Sequence, residues 1–107
     1  MYFPKKLIID NRTVFYINNS LETILTGDIF FIRVDIALSD STDRNKDSFF
    51  LVNEWVNKEK VDIILEPDGE GLKKVFKDCK LITPIVINEN IEGKIELIFK
   101  SKSLKFI

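Results

Sequence analysis

The apolar residues of Ile29 to Leu38, IFFIRVDIAL, recur at every second position. Phe30, Ile32, Val34, Ile36 and Leu38 fall on one side of an extended chain, and Ile29, Phe31, Arg33, Asp35 and Ala37 on the other. The first row is wholly apolar and has to be buried, whereas the second turns from apolar to polar along its length. β-Branched and aromatic residues crowd the run and no period of 3.6 is present. It therefore predicts a long central strand of an antiparallel sheet, with one face on the core and the other partly wet.

Upstream, Tyr2 to Ile9 reads as a strand that Pro4 confines to a sheet edge or a strand start. Asp10-Asn11-Arg12 is a turn signal and Thr13 to Ile17 a second short strand, so the N-terminus reads as a hairpin. After Asn18 and Asn19, Ser20 is placed to cap a short helix over Leu21 to Thr26, with Glu22 in its first turn and Gly27 at its end. Beyond the central strand, the polar run Ser39 to Ser48 forms a loop. Phe49 to Asn57 is apolar on both sides and lacks a clear polar stripe. It is read as a strand returning beside the central one, with helix as the competing reading. Val61 to Glu66 alternates again and extends the meander.

Pro67-Asp68-Gly69-Glu70-Gly71 interrupts the sheet, and the period then changes. Leu72, Val75, Phe76 and Cys79 stand at i, i+3, i+4 and i+7, the stripe of an amphipathic helix, while Lys73, Lys74, Lys77 and Lys80 fill the remainder. This helix is expected to lie on the apolar side of the central strand. Leu81 to Ile87 reads as a strand that Pro84 pushes toward an edge or bulge, and Asn88 to Gly93 as a turn. Lys94 to Lys100 is a strand with Ile95, Leu97 and Phe99 inward, and Ser103 to Ile107 a short strand anchored by Phe106. The expected fold is α+β: an antiparallel twisted sheet of five to eight strands with one or two helices packed on one face, forming a single domain over residues 1–107.

Composition narrows the class. The chain is 45% hydrophobic and 31% charged, the balance of a globular protein, and its apolar runs stop well short of the roughly 20 residues that span a bilayer. No signal-peptide pattern opens it, and its one cysteine, Cys79, permits no internal disulfide, so a cytoplasmic location is expected. The net charge of −1 is unevenly spread. Asp28 to Glu70 holds eleven acids against five bases, and Gly71 to Ile107 eight lysines against four acids.

The chain contains no histidine, which removes the usual general base near neutral pH and the commonest metal ligand. Serine triads, cysteine–histidine pairs and histidine-based zinc sites are excluded. Cys79 lies on the apolar stripe and reads as a packed core thiol. Gly69 and Gly71 sit among acids that repel phosphate, and the Asp40-to-Asp47 loop departs from an EF-hand because Arg44 and Asn45 occupy a ligand and the turn-glycine position. Asp35, Asp62 and Glu66 suffice as solubilising charges on a sheet. Neither an enzyme nor a cofactor or metal is expected.

Two binding readings remain, with a third structural one. The leading reading is a small protein-binding module of the inhibitor or immunity type. It would dock an acidic surface made of Asp35, Asp40, Asp43, Asp47, Glu66, Asp68 and Glu70 on a basic, nuclease-like or toxin partner. The alternative is nucleic-acid binding through the basic segment 72–80 and the lysines Lys100, Lys102 and Lys105 near Phe99 and Phe106. The third is a self-assembling subunit that pairs through an exposed sheet edge.

Overall fold

Asp10 and Asn11 both adopt left-handed backbone, φ 52° and 65°, as a two-residue type I′ hairpin turn requires. In the computed structural model, which describes residues 4–37, 48–67, 69–82 and 94–107, they join strand β1 (Pro4–Ile9) to β2 (Arg12–Val14). The chain continues through β3 (Glu22–Thr26), β4 (Ile29–Ala37), helix α1 (Ser48–Asn57), β5 (Val61–Pro67), β6 (Lys74–Leu81), β7 (Lys94–Ser101) and β8 (Ser103–Phe106). All pairings are antiparallel, in the order β2-β1-β5-β6-β7-β4-β3, with β8 also on β6. Eight strands and, among the described residues, one helix make an α+β fold.

The sheet closes on itself. Tyr16, just beyond β2, bridges to Ile36 of β4, and the Ile17 N–H donates to the Asp35 carbonyl at 2.9 Å. Ser20 secures this seam: its Oγ accepts the Asp35 N–H at 3.1 Å and donates to the Ile17 carbonyl at 2.6 Å. Inside, Leu7 and Ile9 of β1, Ile63 of β5, Phe76 of β6, Ile32 and Val34 of β4, and Leu97 and Phe99 of β7 are fully buried. Phe30 of β4 meets Phe76 of β6 edge-on, with ring centroids 5.6 Å apart. Helix α1 adds Leu51, Val52 and Trp55 to this core. Ion pairs to the β1–β2 hairpin hold it there, Arg12 to Glu54 at 3.3 Å and Lys58 to Asp10.

Strand β4 bears out the central-strand expectation: β3 and β7 flank it and Ile32, Val34 and Ile36 are buried. Three secondary-structure expectations are corrected. Leu21 to Thr26 is not a helix, because Glu22 to Thr26 pairs with β4 from Arg33 to Ile29. Gly27, at φ 63°, is the first central residue of a type II′ hairpin turn rather than a helix stop. Phe49 to Asn57 lies within α1 rather than a strand, since Leu51, Val52 and Trp55 form a helical stripe with Asn53 and Val56 turned outward.

The third correction is the largest. Lys74 to Leu81 is strand, and a β-bulge produces its helix-like spacing. Val61 lies opposite Cys79 and Ile63 opposite Phe76, so two steps on β5 match three on β6, and Asp78 takes φ 53° to absorb the extra residue. Phe76 and Cys79 therefore both face inward three residues apart, while Val75 is buried on the opposite side of the sheet. Phe106 is half exposed, and Leu104 packs on the core in its place. The expected loop over 39–47 and most of the expected strand over 81–87 lie outside the described residues, although Leu81 ends β6.

Candidate functional site

The bulge in β6 faces a break in the strand beside it. β7 and β8 keep a single register against β6, with Leu81 opposite Phe99 and Lys80 opposite Lys100, then Lys77 opposite Ser103 through Lys74 opposite Phe106. Between these two runs the ladder is interrupted at Ser101 and Lys102. Ser101, buried, fills the gap: its Oγ donates to the Lys77 carbonyl at 2.7 Å and accepts the Ser103 N–H at 3.2 Å. With the inward side thus satisfied, the lysines on either side of Ser101 turn outward.

Those lysines line a cleft of 370 Å³ on the outer face of this corner, together with Ile29, Glu59, Asp78 and Ser103. Five lysines line it: Lys60, Lys77, Lys80, Lys100 and Lys102. Three of them follow one another along the corner, two on adjacent strands and Lys60 just before β5. Lys80 is directly opposite Lys100, and continuing the Val61-to-Cys79 register by one residue sets Lys60 opposite Lys80. Neighbouring strands lie about 4.8 Å apart, and like charges directly opposite one another destabilise a sheet. Lys77 is compensated by Asp62 at 2.9 Å. Lys60, Lys80, Lys100 and Lys102 have no ion-pair partner among the described residues. The next residue in the row is Phe31, half-buried and opposite Lys100.

The site's electrostatics follow from this crowding. Partial burial alone would raise the pKa of Asp62, but the hydrogen bonds from Lys77 and from the Asp78 N–H, with the lysine's charge, outweigh it and hold the carboxyl below its ordinary value. Cys79, behind the bulge, has its thiol pushed up to about 12 by burial, so it is not a nucleophile at neutral pH. Among the described residues no three His, Cys, Asp or Glu side chains gather as metal ligands. The arrangement concentrates lysines on one side of the corner, with Glu59 and Asp78 also in the lining.

Of the acids expected to form a docking surface, Asp35, Glu66 and Glu70 lie among the described residues. Asp35 is buried rather than outward, because the Tyr16-to-Ser20 segment runs along its end of β4. Its carboxylate contributes, after Glu96, to raising the pKa of the Arg33 guanidinium. Glu66 is partly exposed and paired with Lys73 at 3.4 Å, and Glu70 is exposed in the turn before β6. Asp40, Asp43, Asp47 and Asp68 lie outside the described residues. Of the lysines in the basic-segment reading, the cleft gathers Lys77 and Lys80 on β6, Lys100 on β7 and Lys102 between β7 and β8, rather than on a helix. Lys60 and Ser101 are not singled out by the sequence. Lys60 carries no local signal, and Ser101 in KSKS has the sequence of a solvated stretch.

No protein-family model and no curated protein matches the chain. The site is therefore defined by its geometry.

Proposed function

We propose that this protein is a small binding module, not an enzyme, and that the Lys60–Lys80–Lys100 row engages the phosphate backbone of a nucleic acid. The observation that carries the reading is the row itself. Lys80 and Lys100, directly opposed on adjacent strands, with Lys60 just before β5 in the same cleft, repel one another in the free protein, and a polyanion converts that repulsion into attraction and releases counterions as it binds. The row ends on Phe31, which is partly exposed. That combination favours a single strand, whose bases stack on an aromatic while its phosphates follow the cations. The acidic-docking reading keeps, among the described residues, an ion-paired Glu66 and an exposed Glu70, and no observation raises it above the lysine row.

Fluorescence anisotropy with labelled single- and double-stranded oligonucleotides of mixed sequence tests the proposal. Binding is expected at low salt and tighter for the single strand. Replacing Lys60, Lys80 and Lys100 together by Gln should shallow the slope of log affinity against log salt by about 2, at roughly 0.7 per phosphate contact. Absence of binding at micromolar protein in low salt, or a triple variant that binds like the parent, overturns it.

A further inference from the structure

We infer that β3 is a self-pairing edge, through which two copies of this chain associate about a two-fold axis at Ile24. β3 ends the strand order, and every residue from Glu22 to Thr26 is exposed. It carries Ile24 at 50% and Leu25 at 59% exposure, without the lysine or proline that commonly guards an edge. In a two-residue hairpin the pair flanking the turn, Thr26 and Ile29, exchanges hydrogen bonds, and bonding alternates from there. Glu22, Ile24 and Thr26 thus direct their backbone groups to β4, and Thr23 and Leu25 direct theirs outward.

That alternation makes the strand complementary to itself. An antiparallel copy centred on Ile24 sets Thr23 opposite Leu25 of the second copy, and each such pair exchanges two N–H···O=C bonds, four in all. Ile24 meets Ile24 in the close, non-bonded position where side chains approach most nearly. Glu22 falls opposite Thr26, so no like charges oppose. Ile24 then meets its copy on the outer side next to Phe31, while Leu25, opposite Thr23, continues the core side next to Phe30. Since Lys100 is opposite Phe31, the two lysine rows come to lie in one line across the joined sheets, flanking a Phe31–Ile24 strip. Two five-residue strands bury less than the roughly 1,200 Å² of a stable interface, so the association is weak and depends on concentration. The pairing stands independently of the nucleic-acid reading.

Sedimentation velocity over a concentration series, with no nucleic acid present, tests it. Mass is expected to rise from that of the 12.5 kDa chain toward twice that value as concentration rises. In amide exchange followed by NMR, protection should grow with concentration at Thr23 and Leu25 but not at Ile24. Thr23→Pro removes only an outward N–H, which an edge strand tolerates, and Ile24→Lys sets two cations together at the axis. Both variants should remain monomeric with the parent's circular dichroism. A parent that stays monomeric into the high micromolar range, or a dimer that survives both substitutions, overturns the inference.

Discussion

Trp55 of α1 stands edge-on to Phe99 of β7, ring centroids 6.3 Å apart and planes inclined by 65°, and both side chains are buried. The contact joins the helix to the strand that carries Lys100 on its outer side, so the core backs that part of the site.

Trp55→Ala removes the largest buried side chain and should cost about 3–5 kcal/mol in urea unfolding. Because Trp55 is the chain's one tryptophan, its emission reports the same contact, blue-shifted in the native state and red-shifted on unfolding. A loss below about 1 kcal/mol would mean that α1 does not seal the core.

The seam is a second sensitive point. Ser20→Ala leaves the buried Asp35 N–H and the Ile17 carbonyl without their hydroxyl partner, and should cost about 1–3 kcal/mol. Amide exchange at Asp35 should accelerate relative to Ile32, which lies inside the regular ladder. Equal acceleration at both positions would locate the effect elsewhere than the seam.

How far these features can be read from the sequence depends on how regular the pairing is. β4 announces itself because Ile29 to Ala37 is paired without a bulge, so burial on one face transmits directly into a period of two. In β6 one residue in left-handed backbone, Asp78, turns the spacing of Phe76 and Cys79 into a helical one, and local pattern alone does not separate the two. Asp35 has the parity of an exposed residue, but its exposure is decided by Tyr16 to Ser20, whose return to β4 is a long-range event. The lysine row was illegible for the same reason. Lys60, Lys80 and Lys100 are brought together by the connections between three strands, and their immediate neighbours carry no trace of it.

Cys79 should resist modification. Its thiol is buried with a pKa near the upper end of the range, about 12, so a disulfide reagent at mildly alkaline pH should react at the rate of opening, not at the rate of a free thiol. Adding denaturant should release full reactivity. Rapid labelling of the native protein would contradict the inward placement that the bulge imposes.

Asp62 links the cleft to acid stability. Its folded pKa is lowered by Lys77 and the Asp78 N–H acting against burial, so it stabilises the fold above its unfolded value of about 3.9 and loses that contribution as pH falls through the folded value. Its side chain is 43% exposed, so the effect is small and screened by salt. Asp62→Asn should flatten the fall in stability on the acid side while leaving its shape above pH 5 unchanged, as read by thermal unfolding across pH. The same fall in parent and variant would assign acid sensitivity to other carboxylates.

Lys80 and Lys100 give the sharpest test, because a structural and a binding role predict opposite signs. Directly opposed ammonium groups destabilise a sheet by about 0.2–1 kcal/mol, so Lys100→Gln should raise stability at low salt, and the gain should fade as salt shortens the screening length. The same substitution should weaken oligonucleotide binding, as expected when a charge is kept for a ligand at the expense of the fold. Lys80→Glu goes further: it makes an attractive pair with Lys100, stabilises more, and opposes a phosphate outright. Unfolding curves and binding isotherms measured on both variants at two salt concentrations separate the cases. If stability and binding fall together, the lysines hold the corner through their aliphatic stems, and the row is part of the scaffold, not a surface for anions.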